Sequence, residues 1–500
     1  MNLSKSRYCQ GLQCPKILWM HLHKSELRDD SALNEAVLET GNAVGDLAMA
    51  YFGDFTEVAY NADKSLMIRE TKDLLARGVP VIAEGSFSFE GNFCSVDIIR
   101  SVKGGVEVTE VKSSTALKPV YLDDMAFQYY VLSGCGLKVK KISLMHINSG
   151  YERKGDLDIK KLFTLVDCTR DVCFMQKNIA GKIEALKSAA GAEAEPVMDI
   201  GPHCGDPYAC GYQGYCWKHI PEHSVFAVRG LRENRKFELY HEGVITFADL
   251  LKKNTRLSEK QKRQIAAEAE KKPPKISYAA IKNFLDGLRF PLYFLDFETF
   301  QPAIPPFDGI RPYAQIPFQY SLHVLLAPKS PARNAGNLIH REFLAKEGKD
   351  PRLPLAERLC RDIPRGACIL AYNMSFEKRI IAALARQFSA ANPGMADHLM
   401  DIHDNIKDLM APFQSHAYYR REFEGSYSIK AVLPALYSDD PELNYDNLEL
   451  IHHGGDAMNA YPGLVNKPKE EAAAIRKALL AYCRLDTLAM VKIWEYLAAL

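Results

Sequence analysis

The chain has 500 residues, and its 63 lysines and arginines against 62 aspartates and glutamates leave a net charge of +1. That length supplies material for two large cores or three ordinary ones, while the balanced charge neither demands nor excludes a nucleic-acid partner, whose surface would have to be a local basic patch. Twelve cysteines are dilute for a disulfide scaffold, no apolar run is long enough to cross a membrane, and Met1-Asn2-Leu3-Ser4-Lys5 is not followed by a signal-peptide core, so a reducing cytoplasm without a membrane partner is the expected setting.

In chain order, Cys9 and Cys14 come first, in Tyr8-Cys9-Gln10-Gly11-Leu12-Gln13-Cys14-Pro15. Residues 81–84 read as a strand, and residues 93–99 and 106–112 as the arms of a hairpin turning at Lys103-Gly104-Gly105. The strand period of two puts Glu110 and Lys112 on one face and Val111 on the other. Closing the hairpin brings Asp97 about one cross-strand step from Glu110. Phosphodiester hydrolysis requires charge neutralisation on the phosphate and hydroxide near neutral pH, and carboxylates holding a divalent metal provide both. Asp97, Glu110 and Lys112 are therefore candidate catalytic residues, with the two carboxylates as metal ligands; a solvated hairpin face is the competing reading. Glu84 is weighed beside them against an ordinary exposed strand acid.

Cys204, Cys210 and Cys216 follow, evenly spaced among Gly, Pro, Tyr and Trp, where the backbone can loop around a metal centre. Cys14 or Cys9 can supply a fourth thiolate. Cys94, Cys135, Cys168, Cys173, Cys360, Cys368 and Cys483 lie mainly in apolar surroundings and read as buried thiols. Residues 221–289 become helical and charged, with a break at Lys271-Lys272-Pro273-Pro274-Lys275, and read as a connector with a solvated cationic face.

A second acidic set opens at residues 291–300, where an apolar strand carries Asp296 and Glu298 on one face. Strands are expected at 318–326, 338–344 and 367–373, with a helix near 355–362. Ser375 is placed to cap a helix that begins with Phe376-Glu377. On the last helix Tyr482 and Asp486 are four residues apart and share a face. Asp408 reads as a surface acid and His452-His453 as a loop, since adjacent histidines lack ligand spacing. There is no Walker-type loop, so ATP-driven motion would have to come from a partner.

Residues 4–7, Gln13-Cys14-Pro15-Lys16 with Leu18-Trp19, then Asp97, Glu110-x-Lys112 and the late cysteines together resemble the Cas4/RecB-like PD-(D/E)XK nucleases over roughly residues 1–220. The resemblance implies a restriction-endonuclease-like fold and a [4Fe-4S] cluster on Cys14, Cys204, Cys210 and Cys216, leaving Cys9 spare, with zinc as the alternative. Two positions depart from the pattern. Gly45 stands where many relatives have a metal-binding histidine, and Leu132 where many have a tyrosine four residues after the retained Gln128.

Asp-x-Glu first, Asn-x-x-Phe-acid in the middle and Tyr-x-x-x-Asp last is the motif order of DEDDy 3′–5′ exonucleases, so residues 290–500 resemble a ribonuclease H-like mixed-sheet domain. More closely, Ala371-Tyr372-Asn373 with Phe376-Glu377, residues 428–434, and Tyr482-Cys483 with Asp486-Thr487 resemble the DUF2779 family, which joins such a domain to a Cas4-like part along nearly the whole chain. By resemblance Asp296, Glu298, Glu377 and Asp486 would hold divalent ions, Glu377 replacing the usual aspartate, and Tyr482 would orient the attacking water. The competing reading makes Tyr482 a core aromatic, Glu377 a helix amino-terminal acid and Asp296 a strand-end turn former. The expectation is an α/β tandem nuclease using Mg²⁺ or Mn²⁺ on nucleic acid, DNA before RNA. The alternatives are a binding or assembly module with degenerate centres, or an RNA-processing exonuclease.

Overall fold

Alternating side chains carry residues 81–112 into three successive antiparallel strands, and the remainder of the first sheet grows from these. The computed structural model describes residues 2–29, 35–253, 255–327 and 337–500. The chain forms two units, Met1–Ile220 with Pro302–Tyr313, and Pro221–Gln301 with Ala314–Leu500.

The first unit holds a seven-stranded mixed sheet made of β1 (Leu3–Ser4), β2 (Thr56–Glu57), β3 (Val81–Phe89), β4 (Asn92–Val102), β5 (Gly105–Lys112), β6 (Val139–Ile147) and β7 (Phe163–Asp167). Strands β3, β4 and β5 pair antiparallel, β5 and β6 parallel, and β1 lies parallel to β4 through Leu3–Asn92 and Ser4–Phe93. Helices α1 (Lys5–Gln13), α2 (Pro15–His23), α3 (Glu35–Met49), α4 (Pro119–Gly134) and α5 (Thr169–Ala190) complete it. One core joins α1, α4 and α5 to the sheet, with Tyr8 stacked on Phe127 at 4.8 Å and Leu132, Ile179 and Ile183 buried around them. A second core sets Val44 and Ala48 of α3 against Ile98 and Met145, with Ala303 from the 302–313 segment packed alongside. Leu132 fills core volume, which explains why that helical position is apolar.

The second unit contains a two-stranded sheet of β8 (Lys275–Ile276) and β14 (Tyr418–Tyr419), and a five-stranded sheet ordered β11 (Leu338–Leu344), β10 (Ile316–Leu325), β9 (Leu292–Phe300), β12 (Cys368–Ala371), β13 (Ile406–Asp408). The first three strands of the larger sheet are antiparallel and the last two run parallel to β9. Its helices near the site are α6 (Ser375–Phe388), α7 (Ile429–Leu436), α8 (Gly454–Gly463) and α9 (Lys469–Ala498). Tyr293, Leu295 and Phe297 of β9 enter the core made with α6 and its neighbours. The period of two therefore turns Asp296 and Glu298 to the opposite face.

Residues 221–289, expected as a connector, are part of the second unit. Their helices enclose an apolar core of their own around Val225, Leu239, Phe247 and Ile265, and β8 pairs with β14 from the far end of the unit. Among the described residues no helix is long and apolar enough to cross a membrane.

Candidate metal centres

Three groups of titratable side chains stand out, two in the first unit and one in the second. Cys14 ends α1 and opens α2 in an extended conformation. Cys204 closes the short turn Pro202–Cys204, the Cys210 N–H donates to the Cys204 carbonyl at 3.0 Å, and Cys216 closes the turn Gln213–Cys216. All four line one cavity with Ile17 and Met20. The Gln13 amide draws the late loop to α1 by donating to the carbonyls of His203 and Tyr208, each at 2.7 Å. Burial, with neighbouring thiols adding to it, raises the Cys14 thiol and pushes Cys210 up to about 11. Tetrahedral zinc with bonds near 2.3 Å would need sulfurs about 3.8 Å apart. Among the described residues, no three of these thiols form a trio within 4.8 Å of one another. Cys9 belongs elsewhere: it shares a face of α1 with Lys5, and its thiol feels Asp124 and Asp123. Of the cysteines expected to be buried, Cys135 and Cys173 are exposed and Cys360 is half-buried. Cys135 lies just past the end of α4, and Cys173 follows buried Val172 on α5, turned outward by helical periodicity.

The second group is built on the hairpin. The registers Ala83–Ile98 and Ile98–Thr109 place Glu84, Asp97 and Glu110 in one cross-strand row over β3, β4 and β5. Glu84 interrupts the ladder with φ 56°, a conformation costing a non-glycine residue about 1 kcal/mol or more. Asp97 accepts the Val111 N–H at 2.6 Å. Glu110 is fully buried, and its carboxylate takes the Lys5 ammonium at 2.9 and 3.1 Å, the Gln128 amide at 2.6 Å, and the Lys112 ammonium. Lys112 and Gln128 also reach Asp124, at 3.0 and 2.9 Å. Burial alone would raise Glu110, but Lys112 and Lys5 outweigh it and hold the carboxyl well below its usual range. Asp97, with less help, is raised to about 7 by burial and by the Glu110 charge. Asp97 and Glu84 open onto a cavity of about 410 Å³ lined also by Gly45, Asp46 and Glu57. A Cβ at Gly45 would meet nothing within 4 Å, so the backbone there leaves room for a side chain to begin.

The third group is the tightest. One oxygen from each of Asp296, Glu298 and Asp486 lies within 4.8 Å of the others, and this is the only such trio of potential ligands among the described residues. Asp486, from α9, accepts the Tyr445 hydroxyl at 2.6 Å, and the nearby Tyr482 hydroxyl also favours its charged form. The Cys483 sulfur lies 3.7 Å from Asp296. Lys430 sits over the rings of Tyr445 and Tyr482, 4.8 and 5.2 Å from their centroids, while its ammonium donates to the His452 carbonyl at 2.9 Å. The start of α8 abuts Glu298, since a Cβ at Gly454 would stand 3.8 Å from a Glu298 oxygen. Burial, then the Asp486 charge, raises Asp296 and Glu298 well above the carboxylate range. Asp486 rises to about 6 through burial, opposed by Tyr445 and Lys430. Buried Glu298 and Asp486 and half-buried Asp296 repel one another when ionised, and a divalent ion would satisfy all three.

Glu377 lies outside that trio, although its charge reaches Asp296. It is 2 % exposed with one carboxylate oxygen lacking a hydrogen-bond partner, and burial followed by the Asp408 charge raises it to about 8. Ser375 is the first residue of α6 rather than its cap; its hydroxyl donates to the Asn373 side chain at 2.9 Å, and Asn373 turns the chain at φ 67°. Asp408 is not a surface acid. It is half-buried and holds this turn by accepting the N–H groups of Asn373 and Met410 at 3.0 and 2.9 Å. His453 caps α8, and both histidine N–H groups reach Asp456, so the pair is a capping turn.

Residues 293–428 match the DUF2779 family model, described as a domain of unknown function. The DUF2779 segment is narrower than the near whole-chain span expected from the motifs. It contains Asp296, Glu298, Glu377 and Asp408 and ends before Lys430, Tyr445, Tyr482 and Asp486. No curated protein matches the chain. Lys5, Asp124, Lys430 and Tyr445 are the site residues that the motif reading assigned no role. Asp124 and Gln128 carried a usable signal, an acid and an amide four apart on one helix. Tyr445 carried none, because a loop far away in sequence brings it to Asp486.

Proposed function

We propose that the protein is a metal-dependent nuclease with two centres, hydrolysing phosphodiester bonds in DNA more readily than in RNA. The observation that carries this reading is the convergence of half-buried Asp296 with buried Glu298 and Asp486, within 4.8 Å of one another. A divalent ion, Mg²⁺ or Mn²⁺, would neutralise phosphate charge and activate water there. Asp296, Glu298 and Asp486 would hold it, Tyr445 fixes the orientation of Asp486, and Tyr482 orients the attacking water from the same carboxylate. Buried Glu377 stands by to take or release a proton or to complete a second ion's shell.

The mixed five-stranded sheet supports a ribonuclease H-like reading of the second unit, and the Glu84–Asp97–Glu110 row with Lys112 supports a PD-(D/E)XK reading of the first. The four thiols of Cys14, Cys204, Cys210 and Cys216 lining one cavity support a [4Fe-4S] cluster, with zinc as the alternative. Brown colour lost on Cys210→Ser fits the cluster, and stoichiometric zinc in a colourless protein rejects it. The preference for DNA and for a cytoplasmic setting comes from the Cas4/RecB resemblance and from cysteine usage.

The deciding experiment is cleavage of end-labelled single- and double-stranded DNA and RNA with Mg²⁺ or Mn²⁺ by wild type, Asp296→Ala and Lys112→Ala. Each substitution should remove a separable activity by a factor on the order of 10³. Wild type without metal-dependent cleavage of any of these substrates refutes the proposal. Gly45, which brings no ligand side chain to the cavity of Glu84 and Asp97, favours a second reading for the first unit alone, binding without turnover. Lys112→Ala would then weaken DNA binding and leave the cleavage pattern unchanged.

A further inference from the structure

Lys5 lies at the start of α1, yet its ammonium reaches into the carboxylates of the first unit. It is 2.9 Å from Glu110, 3.8 Å from Asp124 and 4.0 Å from Asp97. We propose that Lys5 is a tethered counter-cation that occupies the divalent-metal position of this cluster, so that metal enters only as Lys5 withdraws. The proposal rests on the reading of these residues as a metal centre.

Three features support it. First, Glu110 has no free side: Lys5 contacts both oxygens, and Lys112 and Gln128 take the rest. An ion could coordinate Glu110 only by displacing a donor. Second, when ionised, Asp97, Glu110 and Asp124 carry three negative charges and Lys5 and Lys112 return two. Glu84 in the same row adds to that negative charge, so withdrawal of Lys5 leaves a net negative site for a divalent ion, whereas retention would set an ammonium against that ion at contact distance. Third, Lys5 is the lysine that can leave. It enters the cluster from the first residue of α1, whereas Lys112 stands on β5 two residues from Glu110 and is hydrogen-bonded to both Glu110 and Asp124.

Delivery of the ammonium is built into the fold. Strand β1 pairs Ser4 with Phe93 on the strand that carries Asp97, and Tyr8, one turn along α1, stacks on Phe127 of the helix that carries Asp124 and Gln128. The backbone at Lys5 is therefore held while its side chain can swing.

The test is Mn²⁺ binding to the full chain in an Asp296→Asn background, by calorimetry and by the Mn²⁺-induced rise in melting temperature. Lys5→Met should tighten Mn²⁺ at the first cluster by about tenfold or more and enlarge the melting shift. Lys5→Gln, which keeps a hydrogen-bond donor for Glu110, should do the same if the methionine variant folds poorly. Lys5→Arg should bind within about twofold of the parent, because the charge is kept. If the parent binds Mn²⁺ in a manner abolished by Glu110→Gln but neither neutral variant binds more tightly, the competition proposal alone falls. If Glu110→Gln changes nothing in any variant, the metal-centre reading falls with it.

Discussion

The carboxylate clusters of the two units contain similar groups in opposite charge balance. In the first unit Glu110 is ringed by Lys5, Lys112 and Gln128, and two ammonium groups answer its charge directly. In the second unit Asp296, Glu298 and Asp486 meet tyrosine hydroxyls and a thiol, and Lys430 gives its hydrogen bond to the His452 carbonyl. Burial raises carboxyl groups in both places. The chain supplies hydrogen-bonded cations in the first cluster, whereas the second has only Lys430 nearby, with no hydrogen bond to the acids, and must take further charge from solution or hold protons.

The sharpest way to break this comparison is to neutralise one acid in each cluster of the metal-free protein. Glu110→Gln takes from Lys5 and Lys112 their shared buried carboxylate, leaving them Asp124 and Asp97, and should destabilise by about 3 kcal/mol. Asp296→Asn removes buried repulsion and should stabilise by about 1–2 kcal/mol. Urea denaturation of the two variants should therefore shift in opposite directions; equal signs would mean that the clusters do not differ in charge balance.

Metal should expose the same contrast next. At a hundredfold excess over its dissociation constant, Mn²⁺ should stabilise wild type by about 2.7 kcal/mol, and Asp486→Asn should lose most of that gain in a thermal melt. Glu377 gives a smaller, pH-dependent effect. Its folded carboxyl titrates at about 8 against an ordinary value of 4.5, so between those values the folded state keeps a proton that the unfolded state has lost. Metal-free stability must fall as pH rises through that window. Glu377→Gln should remove this slope, gaining roughly 1–3 kcal/mol at pH 8 and nothing at pH 4, as measured by denaturation at the two pH values. The smallest effect belongs to Tyr445→Phe, which deletes one hydrogen bond to Asp486. It should weaken Mn²⁺ binding about tenfold, the usual scale for a partner that orients a ligand, and a binding isotherm unchanged from wild type would remove Tyr445 from the site.

The strand period made the pairings within the hairpin legible from residues alone, because Asp97, Glu110 and Lys112 are close in sequence and a register follows from the turn. The same period placed Asp296 and Glu298 on one face of β9. Helical spacing joined Tyr482 to Asp486. Residues 221–289 are helical as expected, and their charge concealed the apolar residues they bury together, Val225, Leu239, Phe247 and Ile265. Asp408 was misread because its partners are backbone N–H groups, which leave no trace in side-chain pattern.

By itself, then, the amino-acid order determined which residue types share a strand or helix face, since those relations repeat every two or 3.6 residues. Only the tertiary structure decided which faces meet. It set Lys5 against Glu110 across 105 residues, Asp486 beside Asp296, and Tyr445 on Asp486. Charge compensation depends on such distant neighbours, and distance through space is not encoded in local periodicity.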